Sequence, residues 1–324
     1  MSQTPPPLFT PLKVGPLSLE HRVVMPALSL RHAEPPHGIP SGPMVLHYEQ
    51  RATRGGLLVA ETSWVRATAG ADGREPGLHT PEQVNAWRAV TRAVHARGGF
   101  ILAQLGEPPA TAGSDPPAQP LFDVRTALRQ VRDAAESAGD AGFDGVEYLA
   151  TVPERQFHQH GELADRLRLL VETVQTLDGV SPGRCVGLRL SIVTKDTRDR
   201  HPDAHATLRA AVTSSFEAGA AYVHVGPAWP DHGSEGARDL SDTLSVLRPT
   251  GSAADGILIA SGGIDARSAA SLLQAGLADA VAFGRPFLGN PDLPARLRSD
   301  APWAPWPGVE APESERLVGQ IRAQ

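Results

Sequence analysis

The chain has 324 residues, of which 41% are hydrophobic and 20% charged, and its formal net charge is −6. This composition is typical of a globular protein with ample apolar material for a core. The mildly acidic balance and the scattered lysines and arginines argue against nucleic acid or an anionic membrane as the main partner. We expect a small-molecule substrate, and homo-oligomerisation stays open.

A cytoplasmic location is also expected. The single cysteine, Cys185, excludes an intramolecular disulfide and fits a reducing compartment. The first residues contain no apolar signal core, and no apolar run approaches the roughly 20 residues of a membrane span.

Short β-prone runs alternate with helical patterns along the chain. The predicted strands are Arg22–Ala27, Leu57–Glu61, Phe100–Leu105, Gly145–Leu149, Val186–Leu190, Ala221–Val225, Ile257–Ala260 and Ala280–Phe283. The predicted helices are Met44–Arg54, Glu82–Arg97, Val124–Ala141, Glu162–Leu177, Ala204–Ala218, Leu240–Leu247, Ala266–Ala275 and Pro294–Arg298. Several strands are apolar at consecutive positions, as expected for parallel strands covered on both faces.

This alternation predicts an α/β fold, a (β/α)8 TIM barrel. We expect one domain over residues 1–324, with an N-terminal extension at 1–20 and a proline-rich C-terminal tail at 300–324. A doubly wound open sheet is the alternative, but its G-x-G-x-x-G sequence after the first strand is absent.

Two successive predicted strands end in glycine. Gly262 and Gly263 follow the strand at 257–260, and Gly284 and Arg285 follow the strand at 280–283. Glycine lets the backbone approach a ligand closely, and the helix that follows offers N–H groups to an anion. The loops after strands seven and eight of a TIM barrel are a frequent phosphate site. The pattern therefore predicts a phosphorylated ligand such as a cofactor, and ordinary turn geometry is the alternative.

Two polar residues interrupt apolar strands. Arg189 lies within Val186–Leu190, where a charge is rarely tolerated unless it is paired or bound to a ligand. It therefore contacts a ligand or forms a buried ion pair with a carboxylate such as Glu147. Gln104 lies within Phe100–Leu105, and its carboxamide suits the donor–acceptor edge of a heterocycle. A hydrogen-bonded core amide is the alternative for Gln104.

The loop after the predicted fourth strand contains His158 and His160, which are candidate acid–base groups. No carboxylate or cysteine stands at a recognised metal-ligand spacing from them, so an exposed loop pair is favoured and no metal site is predicted. His224 is more typical of a core histidine than of a catalyst, and Cys185 of a small buried apolar group.

In order and spacing, these segments resemble the old yellow enzyme family of FMN-dependent ene-reductases. The similar segments are LFTPLKVGPLSLEHRVVMPAL (Leu8–Leu28), GGLLVAETS (Gly55–Ser63), PEQVNAWRAVTRAVHARGGFILAQL (Pro81–Leu105), AGFDGVE (Ala141–Glu147), VGLRLS (Val186–Ser191) and the nearest match, Ile257–Leu297. They cover most of the chain. The resemblance implies non-covalent FMN, NAD(P)H as the reductant, and hydride transfer through flavin N5 to or from a C=C or C=N bond of a specialised metabolite.

Carried over by position, the resemblance also implies the cofactor contacts. Gln104 would bind the pyrimidine edge of the isoalloxazine, and Arg189 would lie beside its N1–C2 carbonyl region. Ser29 and Thr62 stand where family members contact the flavin ring. Ala27 matches a family position, although the order Pro26-Ala27 is reversed. The phosphate would be held by Gly262, Gly263, Gly284 and Arg285.

The substrate side departs from the family pattern. After the fourth strand the family has His-Gly-Ala-Asn or His-Gly-Ala-His, whose two side chains hold the substrate carbonyl, and then a proton-donating tyrosine. This chain has Leu149 and Val152 in place of the pair, with Glu154 near the tyrosine position. The family's Gln-Leu-Trp-His or Gln-Leu-Ala-His is Gln-Leu-Gly-Glu at 104–107, and the capping insertion is reduced to Glu107–Pro120. A wide, open pocket is therefore expected.

Loss of one such donor typically slows a reaction about 10²–10³-fold, so substrate activation is predicted to be non-standard. The candidate catalytic residues are Tyr148, Glu154, His158 and His160. Two alternatives stay open. One is a non-redox isomerase or cyclase in which a side chain moves a proton and the flavin is structural or absent. The other is a catalytically silent binding protein.

Overall fold

The computed structural model describes residues 7–65, 73–106, 124–150, 163–227, 233–248 and 256–304. The strands are β1 (Leu12–Val14), β2 (Leu17–Leu19), β3 (Val23–Met25), β4 (Leu57–Val59), β5 (Ser63–Trp64), β6 (Phe100–Gly106), β7 (Gly145–Leu149), β8 (Cys185–Ser191), β9 (Tyr222–Gly226), β10 (Ile257–Ser261) and β11 (Ala280–Ala282). The helices are α1 (Gly42–Arg51), α2 (Pro81–Ala96), α3 (Val124–Asp140), α4 (Leu163–Val180), α5 (Lys195–Arg200), α6 (Ala204–Glu217), α7 (Gly233–Leu247), α8 (Ala266–Gln274), α9 (Gly284–Gly289) and α10 (Leu293–Ser299). Each of the predicted strands is present within a few residues of its predicted bounds.

Eight parallel strands close into a barrel. Their order is β4-β3-β11-β10-β9-β8-β7-β6, and β4 also pairs with β6, which completes the ring. β5 pairs with the last residues of β6, beyond the point where β4 ends. The predicted (β/α)8 TIM barrel is confirmed. The single-domain organisation stays a prediction.

The barrel strands bury side chains on both faces. In β3, Val24 packs inside the barrel, whereas Val23 and Met25 pack outside against the helices. This alternation explains why the strands are apolar at consecutive positions, since neither face meets water. The inner cluster consists of Val14, Leu17, Leu19, Val24, Leu57, Leu102, Cys185, Tyr222, Ile259, Ala280 and Ala282. Cys185 is a buried free thiol, as predicted.

Part of the predicted N-terminal extension closes one end of the barrel. β1 and β2 form an antiparallel hairpin whose apolar side chains join the inner cluster. Its turn residue, Gly15, has φ +54°, and a Cβ there would stand 2.8 Å from Cβ of Ala221 at the start of β9. The hairpin thus covers the amino-terminal ends of the strands. The carboxyl ends form the open face, where the sites of TIM-barrel enzymes lie.

Three helices differ from the predictions. α7 begins at Gly233 rather than at Leu240, because the apolar periodicity that identifies a helix starts only at Leu240. α5 is a short polar helix with little apolar content. α9 continues directly from the predicted glycine turn at Gly284, and Pro286 in its first turn is compatible with a helix start. In the described part of the chain, no helix has the length and apolar character needed to cross a membrane.

Candidate active site

The polar residues predicted to bind a ligand all lie toward the open face of the barrel. Gln104 and Arg189 lie near the carboxyl ends of β6 and β8. Gly262 directly follows β10, and Gly284 lies two residues after the end of β11. Because the strands are parallel, their carboxyl ends meet at one face. Residues 85 positions apart in the chain (189 − 104) are thereby brought to the same barrel mouth.

Gln104 is held at both ends of its amide. Its Nε2 donates to Oε1 of Glu147 at 2.6 Å, and its Oε1 accepts a short hydrogen bond from the hydroxyl of Thr62. A primary amide has two donor hydrogens and two acceptor lone pairs. One of each is used here, so one of each is left for a ligand. Both sequence interpretations of Gln104 are compatible with this arrangement.

Glu147 is the centre of a hydrogen-bond network inside the barrel, and none of its side chain is exposed. Besides Gln104, it accepts from the hydroxyl of Tyr222 at 2.9 Å and from Nδ1 of His224 at 3.1 Å. Burial alone would raise the pKa of Glu147, but His224, Arg189 and Gln104 together hold it below its ordinary value. Glu147 is therefore an ionised carboxylate with donors on both oxygens.

Arg189 points its guanidinium into the same lumen. Its Nη2 donates to the backbone oxygen of Pro227 at 3.2 Å, whereas its buried Nη1 has no partner within the described residues. A Cβ on Gly226 would stand 2.7 Å from Nη1, so the glycine keeps that space open. No direct hydrogen bond or ion pair joins Arg189 to Glu147 among the described contacts, so the predicted ion-pair alternative is wrong. Burial lowers the pKa of Arg189, and the charge on Glu147 opposes that shift.

The two glycines after β10 have different roles. Gly262 (φ +121°) packs against Pro227, since a Cβ would stand 2.4 Å from its Cδ. Gly263 (φ +62°) is exposed, and a Cβ there would meet nothing within 4 Å. The N-terminus of α8 is already capped, because Asp265 accepts from the backbone N–H of Ser268 at 2.7 Å. Asp265 thus satisfies one of the N–H groups at this helix end, and anion binding by this segment stays a prediction.

Arg285 lies in the first turn of α9 and is exposed. Gly284 beside it lies close to the loop after β3, since a Cβ on it would stand 3.3 Å from Cδ2 of Leu28. α9 is held in place by the buried Arg51 of α1, which donates to the backbone oxygens of Phe287 at 2.9 Å and Leu288 at 3.3 Å. These hydrogen bonds from α1 fix the position of α9, the helix that carries Arg285.

Glu61 organises the loop that carries Ala27 and Ser29. It follows β4, is 2% exposed, and accepts from the backbone N–H groups of Leu30 at 3.0 Å and Arg31 at 3.4 Å. Its other oxygen, Oε1, is buried and has no partner in the part of the chain that the structure describes. Desolvation raises the pKa of Glu61 to about 8, against which the two N–H donors act. Glu61 was not among the predicted site residues, although a carboxylate at the end of an apolar strand is a signal visible in the sequence.

The substrate side of the mouth has an apolar edge formed by Trp64, Gly106 and Leu149, which are in register across β5, β6 and β7. A Cβ on Gly106 would stand 2.8 Å from Cγ2 of Thr62, 3.4 Å from Cζ3 of Trp64 and 3.6 Å from Cβ of Leu149. The indole Nε1 of Trp64 donates to Glu75 at 2.6 Å, so the ring is held against this edge. Trp64 was also missed at the sequence level, because its contact with position 106 depends on strand pairing.

The four predicted catalytic residues are not assembled in the described part of the chain. Glu154, His158 and His160 lie outside the described residues, as does Val152. Tyr148 alternates with Glu147 in β7 and packs with the outer cluster beneath the helices. Its position does not favour a role in the lumen, and catalysis by these residues stays a prediction.

Comparison with known proteins identifies the family. The profile of the NADH:flavin oxidoreductase / NADH oxidase family matches residues 7–121 and 121–303. Flavin oxidoreductase hxnT of Emericella nidulans is 32% identical over 355 residues, covering 90% of each chain. 12-oxophytodienoate reductase 1 of Oryza sativa subsp. japonica is 31% identical over 338 residues, covering 91% of this chain and 87% of its own.

Among solved structures, morphinone reductase superposes with a TM-score of 0.80 at 28% identity, covering 100% of this chain and 97% of its own. Another structure of morphinone reductase is a complex with tetrahydroNAD. The chain belongs to the NADH:flavin oxidoreductase / NADH oxidase family, the old yellow enzymes, and is an FMN-dependent oxidoreductase with a nicotinamide nucleotide as its reductant.

Proposed function

We propose that this enzyme holds FMN at the mouth of its barrel and catalyses hydride transfer to or from a C=C or C=N bond. The substrate is a small-molecule metabolite with a bulky ring system. The supporting observation is the buried Nη1 of Arg189, which has no partner among the described residues at the open end of the barrel. A buried guanidinium nitrogen without a partner is costly, and a bound acceptor removes that cost. The arrangement fits a cofactor with carbonyl oxygens on a flat ring.

Each contact in this proposal has a defined role. Arg189 supplies positive charge and a hydrogen-bond donor, and Gln104 supplies its remaining donor and acceptor, with Thr62 beside it. The phosphate is held by Gly262, Gly263, Gly284 and Arg285, and Ala27 and Ser29 contact the ring from the loop that Glu61 secures. FMN, when bound, supplies hydride transfer through its N5.

Substrate activation differs from that of a simple ene-reductase. The edge formed by Trp64, Gly106 and Leu149 is apolar on its lumen side, so it binds a hydrophobic ring and does not donate to a carbonyl. Polarisation and proton transfer then come from elsewhere, for which Glu154, His158 and His160 are the proposed groups. In this proposal the described residues bind and orient the cofactor and the substrate and exclude water from them.

The purified protein is expected to be yellow and to lose its flavin absorbance when NADPH is added without oxygen. A protein that is colourless and does not take up added FMN would contradict the proposal. Colour that NADPH cannot bleach indicates a structural flavin. Substrate conversion that survives removal of flavin but disappears in Glu154→Gln indicates the non-redox isomerase or cyclase instead.

Restoring the two hydrogen-bond donors of the family pattern, at Leu149 and at the position of Val152 in the sequence, is expected to create simple ene-reductase activity. In the double variant Leu149→His/Val152→Asn, reduction of cyclohex-2-enone with NADPH should rise at least about tenfold, because each lost donor is worth about 10²–10³-fold. The measurement is kcat/KM at equal FMN content. Leu149→Ala/Val152→Ala is the matched control, since it shortens both side chains without adding donors. An equal gain in the control would show that space, not donation, limits the reaction.

A further inference from the structure

The carboxylate of Glu147 lies deeper in the barrel than the proposed cofactor contacts. It is fully buried, and it binds Gln104, which is one of those contacts. It stands in the middle of the lumen, with Gln104 on one oxygen and Tyr222 and His224 on the other. The barrel is shaped around this network: a Cβ on Gly187 would stand 2.1 Å from the ring of Tyr222. The glycine at position 187 therefore leaves room for the ring of Tyr222, whose hydroxyl binds Glu147.

We infer that Glu147 is a positioning residue that fixes the orientation of the Gln104 amide, and thereby the positions at which Gln104 presents its remaining donor and acceptor to FMN. This inference rests on the proposed function. A carboxylate only accepts hydrogen bonds, so it can bind the amide nitrogen of Gln104 but not the amide oxygen. The oxygen must therefore turn toward Thr62, whose hydroxyl donates to it. Thr62 alone cannot select this orientation, because a hydroxyl both donates and accepts.

The substitution Glu147→Gln is expected to reverse the amide. The new side chain has a single oxygen, and two donors, Tyr222 and Nδ1 of His224, compete for it against the one donor of Gln104. With that oxygen bound by Tyr222 and His224, its amide nitrogen faces Gln104 at what was a 2.6 Å contact. Gln104 then turns its oxygen inward and presents donors where an acceptor had been.

A double-mutant cycle on FMN affinity tests the inference. The dissociation constant is measured by quenching of FMN fluorescence on the apoprotein, and thermal unfolding confirms that each apoprotein is folded. Glu147→Gln is expected to weaken FMN binding about tenfold, which corresponds to one charge-assisted hydrogen bond. In a Gln104→Ala background the same substitution should change the affinity less than about twofold, because coupled residues lose their interaction only once.

Tyr222→Phe is the matched control. It removes a donor from the other oxygen of Glu147 and leaves the contact with Gln104 intact, so FMN affinity should stay within about twofold of the original. The midpoint potential of bound FMN should shift in Glu147→Gln and not in Tyr222→Phe.

An equal loss of affinity from Glu147→Gln in both backgrounds would overturn the inference and leave the proposed function intact. If Gln104→Ala binds FMN as tightly as the original protein, both the inference and the proposed role of Gln104 are wrong. Failure of the unaltered protein to bind FMN would overturn the proposed function itself.

Discussion

Arg189→Leu is expected to lower the rate of NADPH-dependent turnover about 10²–10³-fold, the usual effect of removing one preorganised donor from a developing negative charge. Arg189 combines that role with a structural one, since its Nη2 holds the backbone of Pro227. Its removal also takes away a positive charge that helps to hold the pKa of the buried Glu147 below its ordinary value, so the ionised carboxylate becomes less favourable in the folded protein. FMN affinity and apoprotein stability should therefore fall together with the rate.

The chain offers a control at the other end of the same strand. Arg184 precedes β8 and is exposed, and among the described residues its side chain makes one long hydrogen bond, of 3.5 Å, to the backbone oxygen of Gly139. Arg184→Leu makes the same chemical change away from the lumen and should leave turnover unchanged. Arg189→Lys keeps the charge but loses the planar fork, so an intermediate rate is expected. Full turnover in Arg189→Leu with FMN bound would show that this guanidinium has no part in the reaction.

The second large effect is a pH dependence of stability that originates at Glu61. Burial raises the pKa of Glu61 from 4.5 to about 8 in the folded protein. Below the lower value both states carry the proton, and folding has no cost from this group. As pH rises toward 8 the unfolded chain releases a proton that the folded protein keeps, so the free energy of unfolding falls; above 8 the loss is complete.

Glu61→Gln removes this dependence, because an amide accepts from Leu30 and Arg31 without ionising. The variant should be more stable than the original protein by on the order of 4 kcal/mol near pH 9, and nearly equal to it below about pH 4.5. Urea unfolding of the apoproteins at both pH values measures the difference. Glu20→Gln is the control, since Glu20 belongs to an exposed pair with Arg54 that contributes little. Equal pH slopes for Glu61→Gln and the original protein would contradict the assignment.

Among the residues inside the strands, the sequence predicted a site residue only where a polar side chain interrupts an apolar run. Arg189 and Gln104 stand out because each is a polar residue in a strand that is otherwise apolar. Glu147 stands in the same position in β7, yet its partners cannot be read from the sequence: Tyr222 is 75 residues away and His224 is 77. The role of Trp64 was hidden for the same reason, since only the register of β5 on β6 brings it to Gly106.

The sequence by itself determined the eight-stranded barrel, its strand positions and the two polar interruptions, because periodicity and burial act over a few neighbouring residues. It also suggested the glycine turns, and Asp265, directly before α8, is of a residue type that typically caps a helix start. Only the tertiary structure decided that Glu147 binds Gln104 rather than Arg189, and that Nη1 of Arg189 is left without a partner among the described residues. Those outcomes depend on which side chains are buried together in the lumen. Closure of the barrel brings together residues that are distant in the chain.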